Sequence, residues 1–427
     1  MAVLTIILLF ALFLIGVPAA FSMIFACIPY FIATGAMPMD MIIQKIVATT
    51  ESTALLAIPF FVTAGSMMNY AGISKRLMDV ADVLVGHMTG ALGHVNVLLS
   101  CMNGGLSGSC AADASLQCKI LVPEMIKRGY DKPFSAAVTA ASSLITTIIP
   151  PSMGMIVYAY CTDTSVGKLF AGGYIPGALM TVTMMLLVAY LAKRRHYKPT
   201  REKRATLREA LPVVAKGLWA LVLPFGLVLG IRFGVFNATE GGAMCCVYSF
   251  FVGKFIYKDL KLRQIPAIMK EAFLSTSTVM MVMCAATVLS FFLSWESIPS
   301  KVSNFLLTYA HNRYIFLLGV ILLFIVIGMF MDGTSAMMVI APIIAPVAVG
   351  LGIDLVQLGV LMVMLCSLGA ITPPFGVIIY LVAPLMKIKV QDFIKEELLF
   401  IGQLLLCVFA TAFIPALTLW IPNLLFG

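Results

Sequence analysis

Residues 103–109 read Asn-Gly-Gly-Leu-Ser-Gly-Ser, and 43 residues after Ser107 a Pro-Pro pair begins, in Ile149-Pro150-Pro151-Ser152. The second half of the chain has a counterpart. There Met331-Asp332-Gly333-Thr334-Ser335 is followed, 40 residues after Gly333, by Pro373 in Thr372-Pro373-Pro374. Each half thus carries a small, polar, Gly-containing tip and then a Pro-Pro break within an apolar run. Proline removes a backbone donor and clashes with the preceding turn, so both pairs must unwind their helices. Unwound backbone at membrane depth is tolerated only where it is buried in protein or lines a watery cavity. Paired interruptions at matching places in two halves point to an inverted-repeat arrangement with a binding site between the breaks. Two packed helices that merely kink would not both carry a polar tip ahead of the proline pair.

The surrounding sequence supports a membrane setting. Of the 427 residues 61% are hydrophobic and 11% charged, whereas a soluble domain carries about a quarter charged residues. The mean hydropathy is +1.04. Apolar runs cover Val3–Thr34, Leu211–Phe233, Ala272–Leu293, Tyr314–Met331, Leu355–Val382 and Leu398–Leu419. Each is long enough to cross a hydrocarbon core of about 30 Å as a helix. They do not alternate, which excludes a transmembrane barrel. The fold class is all-α polytopic membrane protein. Met1–Gly16 has no basic flank and no small-residue cleavage site, so it reads as a first span and not as a removed signal peptide.

The net charge of +9 does not indicate nucleic acid, because the basic residues sit between apolar spans. Lys193–Arg208 (KRRHYKPTREKRATLR) holds eight Lys/Arg, and Lys254–Lys270 holds five. With Lys75–Arg76, Lys119–Lys132 and Lys387–Lys395, these segments contain 22 of the 28 Lys/Arg. All five fall in the cytoplasm if each half has five spans plus one re-entrant hairpin and both termini lie outside. That parity requires Val3–Thr34 to be two short spans broken near Gly16–Pro18. The loops then assigned outside, Thr34–Thr50, Cys161–Lys168 and Gly350–Asp354, are poor in basic residues. The ten cysteines form no CxxC pair and read as small membrane hydrophobes. The four histidines lack ligand spacing, so no transition-metal site is expected.

At the breaks, freed carbonyls such as those of Ile149 and Gly369 suit a hard cation, and Na⁺ fits a ligand set of carbonyl and hydroxyl oxygens. Ser107, Ser109, Ser152, Thr334 and Thr372 supply the hydroxyls. The N-termini of the resuming half-helices carry partial positive charge and suit an anionic solute. Asp332 is costly at membrane depth, so it faces the interior with a partner, either a cation or substrate or the hairpin backbone. Asp113 reads as structural. Glu240, in Asn237-Ala-Thr-Glu, reads as the cap of a span. No nucleophile–base set, metal cluster or Gly-rich nucleotide loop is present, which argues against an enzyme and against ATP drive.

Taken together, AIPFFVTAGS (57–66), GALGHVNV (90–97), GLSGSCAAD (105–113), FSAAVTAASSLITTIIPPS (134–152), NATEGGA (237–243), GMFMDGTSAM (328–337) and DLVQLGVLMVMLCSLGAITPPFG (354–376) resemble the large membrane subunit of tripartite ATP-independent periplasmic (TRAP) transporters. The chain departs from that pattern in reading Ile145-Thr-Thr-Ile-Ile-Pro150, where a Gly-Pro pair is expected, and Asn237-Ala-Thr-Glu, where Thr-Pro-Thr-Glu is usual. The resemblance implies a Na⁺-driven importer in the bacterial inner membrane. Its partners would be a separate small four-span subunit and a periplasmic substrate-binding protein, and its motion an elevator. Residues 1–89 would supply scaffold spans and an arm helix, and 90–192 the first part of a transport domain. A basic linker (193–210), a second scaffold part with its arm (211–313) and a second transport part (314–427) would follow.

The same resemblance implies sodium ligands among Asn103, Ser107, Gly108, Ser109, Ile149, Pro150 and Ser152 for one site. For the other it implies Gly328, Asp332, Thr334, Gly369 and Thr372. Substrate would contact Ser107, Ser109, Thr147, Pro150, Asp332, Thr334 and Ser335. The cargo would be a small carboxylate, a sialic acid in preference to a C4-dicarboxylate. The alternative is a stand-alone divalent-anion/sodium symporter, which the lack of paired Ser-Asn-Thr tips disfavours.

Overall fold

Gly16 adopts φ +88° and Pro18 follows it, so the first apolar run breaks there into α1 (Ala2–Ile15) and α2 (Ala19–Thr34), which pack on each other. A computed structural model describes residues 2–35, 40–298, 301, 312–328, 333–373 and 376–426. Among these residues the regular structure is helical. Four helices are each long and apolar enough to cross a membrane, and a bent pair over Arg208–Arg232 makes a fifth.

The first half continues with α3 (Asp40–Thr50), α4 (Ala57–Tyr70) and α5 (Ile73–Val85). Then come α6 (Ala91–Ser107), α7 (Cys110–Ile120), α8 (Val122–Lys127), α9 (Lys132–Ser143), α10 (Met153–Thr162) and α11 (Val166–Arg194). The second half holds α12 (Leu207–Arg232), α13 (Ala238–Phe251) and α14 (Ile265–Trp295). After these come α15 (Arg313–Gly328), α16 (Gly333–Gly350), α17 (Leu355–Gly369), α18 (Val377–Met386), α19 (Val390–Phe413) and α20 (Ala416–Phe426). The order tip, broken helix, long helix in α6–α11 recurs in α15–α20.

Two differences from the sequence reading stand out. The stretch Thr34–Thr50, read as a loop, contains α3, which packs on α14 through one face that buries Ile42. The run Leu398–Leu419, read as one span, is cut at Ile414-Pro415, because Pro415 has no N–H to continue α19. The expected cap is present. Asn237 and Glu240 form a reciprocal cap at the start of α13. The Asn237 Oδ1 accepts from the Glu240 N–H at 2.9 Å, and Glu240 Oε2 accepts from the Asn237 N–H at 2.8 Å. All ten cysteines are free.

Helices α1–α4, α13 and α14 pack chiefly on one another, as do α6–α11 and α15–α20, while α12 lies on α5 and touches α13, α6 and α11. The arm α5 touches both groups, lying along α6 and α12. Arg76 near its start pairs with Asp259 at 2.6 Å and lies 4.1 Å over the Tyr257 ring. At its end, Asp82 accepts from Arg201 Nε at 3.0 Å and from the Thr200 hydroxyl at 2.8 Å. The basic linker continues onto the other group, where Arg195 donates to both Glu396 oxygens at 2.8 Å and to Asp131 at 3.2 Å. Partial burial works against this guanidinium's charge, yet Glu396 and Tyr197 hold it above its ordinary range.

Candidate functional site

The first tip is shaped by one glycine. Gly108 sits at φ +56°, ending α6, and a Cβ there would stand 2.9 Å from the Pro151 carbonyl oxygen. Ser109 then caps α7, its hydroxyl accepting from the Ala112 N–H at 3.4 Å. The tip therefore leans on the first break. After α9 the chain makes a 3₁₀ turn, Leu144–Thr147, and Ser152 starts α10. The Ser152 hydroxyl accepts from the Met155 N–H at 3.4 Å and donates to the Thr147 carbonyl at 2.5 Å. Gly104 admits Ile149, whose Cβ lies 2.7 Å from where a Gly104 Cβ would be.

The second break meets its hairpin through two glycines. A Cβ on Gly328 would lie 2.8 Å from the Gly369 Cα, and one on Gly369 2.7 Å from the Gly328 Cα. The Thr372 hydroxyl donates to the Leu368 carbonyl at 2.7 Å, and Gly376 N donates to the Thr372 carbonyl at 3.1 Å. The Thr147 and Ser367 hydroxyls, 2.5 Å apart, join the two broken segments. The Cys366 thiol donates to the Gly333 carbonyl at 2.9 Å.

Inside the first hairpin lies a neutral-donor cage. Asp113 is 2% exposed and accepts from Ser100 (2.7 Å), Asn103 (2.9 Å) and Gln117 (2.7 Å). Three hydrogen bonds compensate part of the cost of burying this carboxylate. The Asn103 Nδ2 is thereby committed, while its Oδ1 is buried with no hydrogen-bond partner. Such an orphan oxygen at the first tip, and the Ser152 and Thr372 hydroxyls at the first and second breaks, whose protons are spent on carbonyls, are oxygen donors of the kind a hard cation takes.

Between tips and breaks lies a cavity of about 360 Å³. Its wall on one side holds Gly108, Ser109, Thr147, Met153, Thr334 and Ser367. Two helices start at it, α7 at Cys110 and α10 at Met153, and Gly333 and Thr334 of α16 also line it. The dipoles of α7 and α10 present partial positive charge without a lysine, arginine or histidine among the described lining residues. The opposite wall comes from α4 (Ser66, Asn69) and α14 (Glu271, Ser275).

Of the residues expected at the site, Gly108 meets the Pro151–Ser152 backbone, Gly328 meets Gly369, and Ser109, Thr147 and Thr334 reach the cavity. Pro150 and Ser335 are buried and do not line this cavity. Asp332 and Pro374 lie outside the described residues, as does the Ser107 side chain. The sequence reading missed Asn69, Glu271, Ser275 and Ser367. A carboxylate and a hydroxyl four residues apart at the head of an apolar helix was the available signal for the α14 pair. A second cavity, about 510 Å³, lies toward the other end of α14, with Lys45, Asp163 and Ser294 in its wall.

Comparison with known proteins adds an independent line. The family model described as tripartite ATP-independent periplasmic transporter, DctM component, matches residues 6–417. The chain is 32% identical over 412 residues to the sialic acid TRAP transporter large permease protein SiaM of Vibrio cholerae, covering 96% of each. It is 34% identical over 379 residues to the C4-dicarboxylate TRAP transporter large permease protein DctM of Pseudomonas aeruginosa, covering 89% of this chain and 88% of that one. The solved structure of MtrF from Neisseria gonorrhoeae superposes with a TM-score of 0.61 at 14% identity, over 89% of this chain and 83% of that one. That likeness concerns the fold.

Proposed function

Because the chain belongs to the tripartite ATP-independent periplasmic transporter family as a DctM component, we propose that it carries a small carboxylate into the cell in symport with Na⁺. The single observation that carries this reading is the 360 Å³ cavity lined by both tips and by residues flanking both breaks, with the N-termini of α7 and α10 at its wall. In a low-dielectric surround, N–H groups aimed at one point bind a carboxylate that water would otherwise solvate. Ser109, Thr147, Thr334 and Ser367 are placed to hydrogen-bond its polar atoms.

Na⁺ is cargo in this scheme. One ion is held at the first tip and break by Asn103 Oδ1 and the Pro150–Ser152 region, and the other around Gly328, Gly369 and Thr372, with Asp332. Cation binding joins each tip to its break and so completes the substrate wall. The group α6–α11 and α15–α20 moves as the transport part against α1–α4 and α12–α14, with α5 as an arm. A small membrane subunit braces the scaffold, a periplasmic binding protein delivers the acid, and both termini of the chain face the periplasm. Sialic acids and C4-dicarboxylates are the candidate cargoes.

The test is uptake by the reconstituted complex, with its small subunit and binding protein, of sialic acid, succinate and isethionate. Two Na⁺ moving down a tenfold gradient, plus one net charge through 100 mV, supply about 5 kcal/mol, enough for roughly 10³-fold accumulation. Uptake of one of the acids that disappears when choline replaces Na⁺ is expected. Equal uptake in choline would sink the coupling, and full-rate uptake without the small subunit would sink the tripartite assignment.

A further inference from the structure

The binding cavity has a charge asymmetry that the N-termini of α7 and α10 do not explain. Glu271 is the one charged residue among its described lining residues, and its carboxylate has no ion pair or hydrogen bond among the described residues. It stands in the second turn of α14, next to the basic segment Lys254–Lys270, and is solvent-exposed. Asn69 lies across from it at the end of α4, just before Lys75–Arg76, so this mouth of the cavity lies at the basic side. An acid held at the helix N-termini therefore leaves past an uncompensated negative charge.

Resting on the transport reading and its cytoplasmic placement of the basic segments, we propose that Glu271 is an exit residue that weakens the inward-facing site for its anionic cargo. The reasoning is differential. Glu271 belongs to the helix group taken as stationary, whereas the N-termini that bind the acid belong to the moving group. The carboxylate is therefore close to the cargo when the cavity opens to the basic side and distant when the moving group has carried the cargo toward the outer cavity at Lys45 and Ser294. A charge that meets the ligand in one state alone changes that state's affinity alone. Within one water-bearing cavity, like charges disfavour binding by several-fold. Such a residue favours release on the basic side without touching the coupling ions, while the gradients set the direction of net transport.

The experiment uses proteoliposomes of the whole complex with wild type, Glu271→Gln and Glu271→Asp, and the acid of the panel that wild type carries. Expected for Glu271→Gln is inhibition of uptake by acid preloaded inside at a concentration about three- to tenfold lower than in wild type. Half-saturation from outside should be unchanged, and Glu271→Asp should behave as wild type. The double variant Glu271→Gln/Ser275→Glu, which returns the charge one turn along the same wall, should restore the wild-type response even if the single variant is less stable. An unchanged internal response in Glu271→Gln overturns the proposal. So does a rise in external half-saturation, which would make Glu271 a ligand for the cargo. Absence of wild-type uptake of all three acids overturns the transport reading and this inference with it.

Discussion

Gly369 has no room for a side chain, and neither has Gly328 opposite it. Each would place a methyl carbon within 2.8 Å of the other's Cα, that is, against backbone that cannot rotate away. Gly369→Ala should cost on the order of 1–3 kcal/mol of stability by overpacking and should separate the second hairpin from its break. Melting of the detergent-solubilised complex should fall by several degrees and the Na⁺ concentration for half-maximal uptake should rise. Gly319→Ala, also in α15 but with nothing within 4 Å, should change neither, and equal effects of the two would sink the close-contact argument. Asp113 illustrates the other residue-scale lesson. Its position four residues after Ser109 did not distinguish a ligand from a brace, and the distinction came from Ser100, Asn103 and Gln117, which converge on it from 4 to 13 residues away. For Asp332 the argument rests on sequence chemistry. Asp332→Asn keeps the volume and removes the charge, so a lost charge-assisted contact of about 1.5–3 kcal/mol should weaken transport roughly ten- to a hundredfold. Near-normal uptake at normal expression would return the residue to backbone capping.

At the scale of elements, the breaks were legible because proline acts locally. Pro150–Pro151 has no N–H to offer and a ring against the preceding turn, whatever surrounds it, and α9 and α10 are separated there. The Gly16–Pro18 break followed from the same physics. Pro415 carried the same signal as a single proline near the end of an apolar run, and hydropathy masked it. The helix α3 was missed because an 11-residue amphipathic helix between spans has no apolar run to announce it. Illegible in a different way was the wall made by α4 and α14: both are apolar most of the way round, and which face meets the cavity is decided by packing against α13, α2 and α3. The cap of α7 yields a prediction at this scale. Ser109→Ala removes the hydroxyl that accepts from Ala112 N–H, worth about 0.5–2 kcal/mol to the start of the helix, and removes a polar atom from the cavity wall. Uptake should drop at least about tenfold while the complex still elutes as a single assembled species. Unchanged uptake would show that neither the cap nor the hydroxyl matters to the cargo.

Across the whole molecule, the helices divide into two groups, and the contacts between them are the ones a moving transport part must exchange. Tyr174 on α11 stacks on Phe225 of α12 with centroids 5.5 Å apart, and its hydroxyl donates to the Pro224 carbonyl at 2.9 Å. Phe61 on α4 meets Phe170 on α11 edge-on at 6.1 Å. Within the proposed transport part, Tyr314 on α15 packs on Phe413 of α19 at 5.8 Å, a comparable separation between helices that should travel together. The element order hinted at this division by repeating tip, broken helix and long helix, but the sequence could not say which aromatic pairs straddle the boundary. An elevator and a local gate differ at this point. A short bifunctional thiol reagent applied to Tyr174→Cys/Phe225→Cys, in a background lacking the ten native cysteines, should stop uptake in proportion to cross-linked product. The same reagent on Tyr314→Cys/Phe413→Cys should leave uptake within about twofold of the unmodified protein. If transport needs only the tips to open, the first cross-link is as harmless as the second, because it touches neither tip. Uptake that persists with the α11–α12 pair fully cross-linked would therefore exclude sliding of one helix group against the other. Arrest by both cross-links would place the moving boundary inside α15–α20.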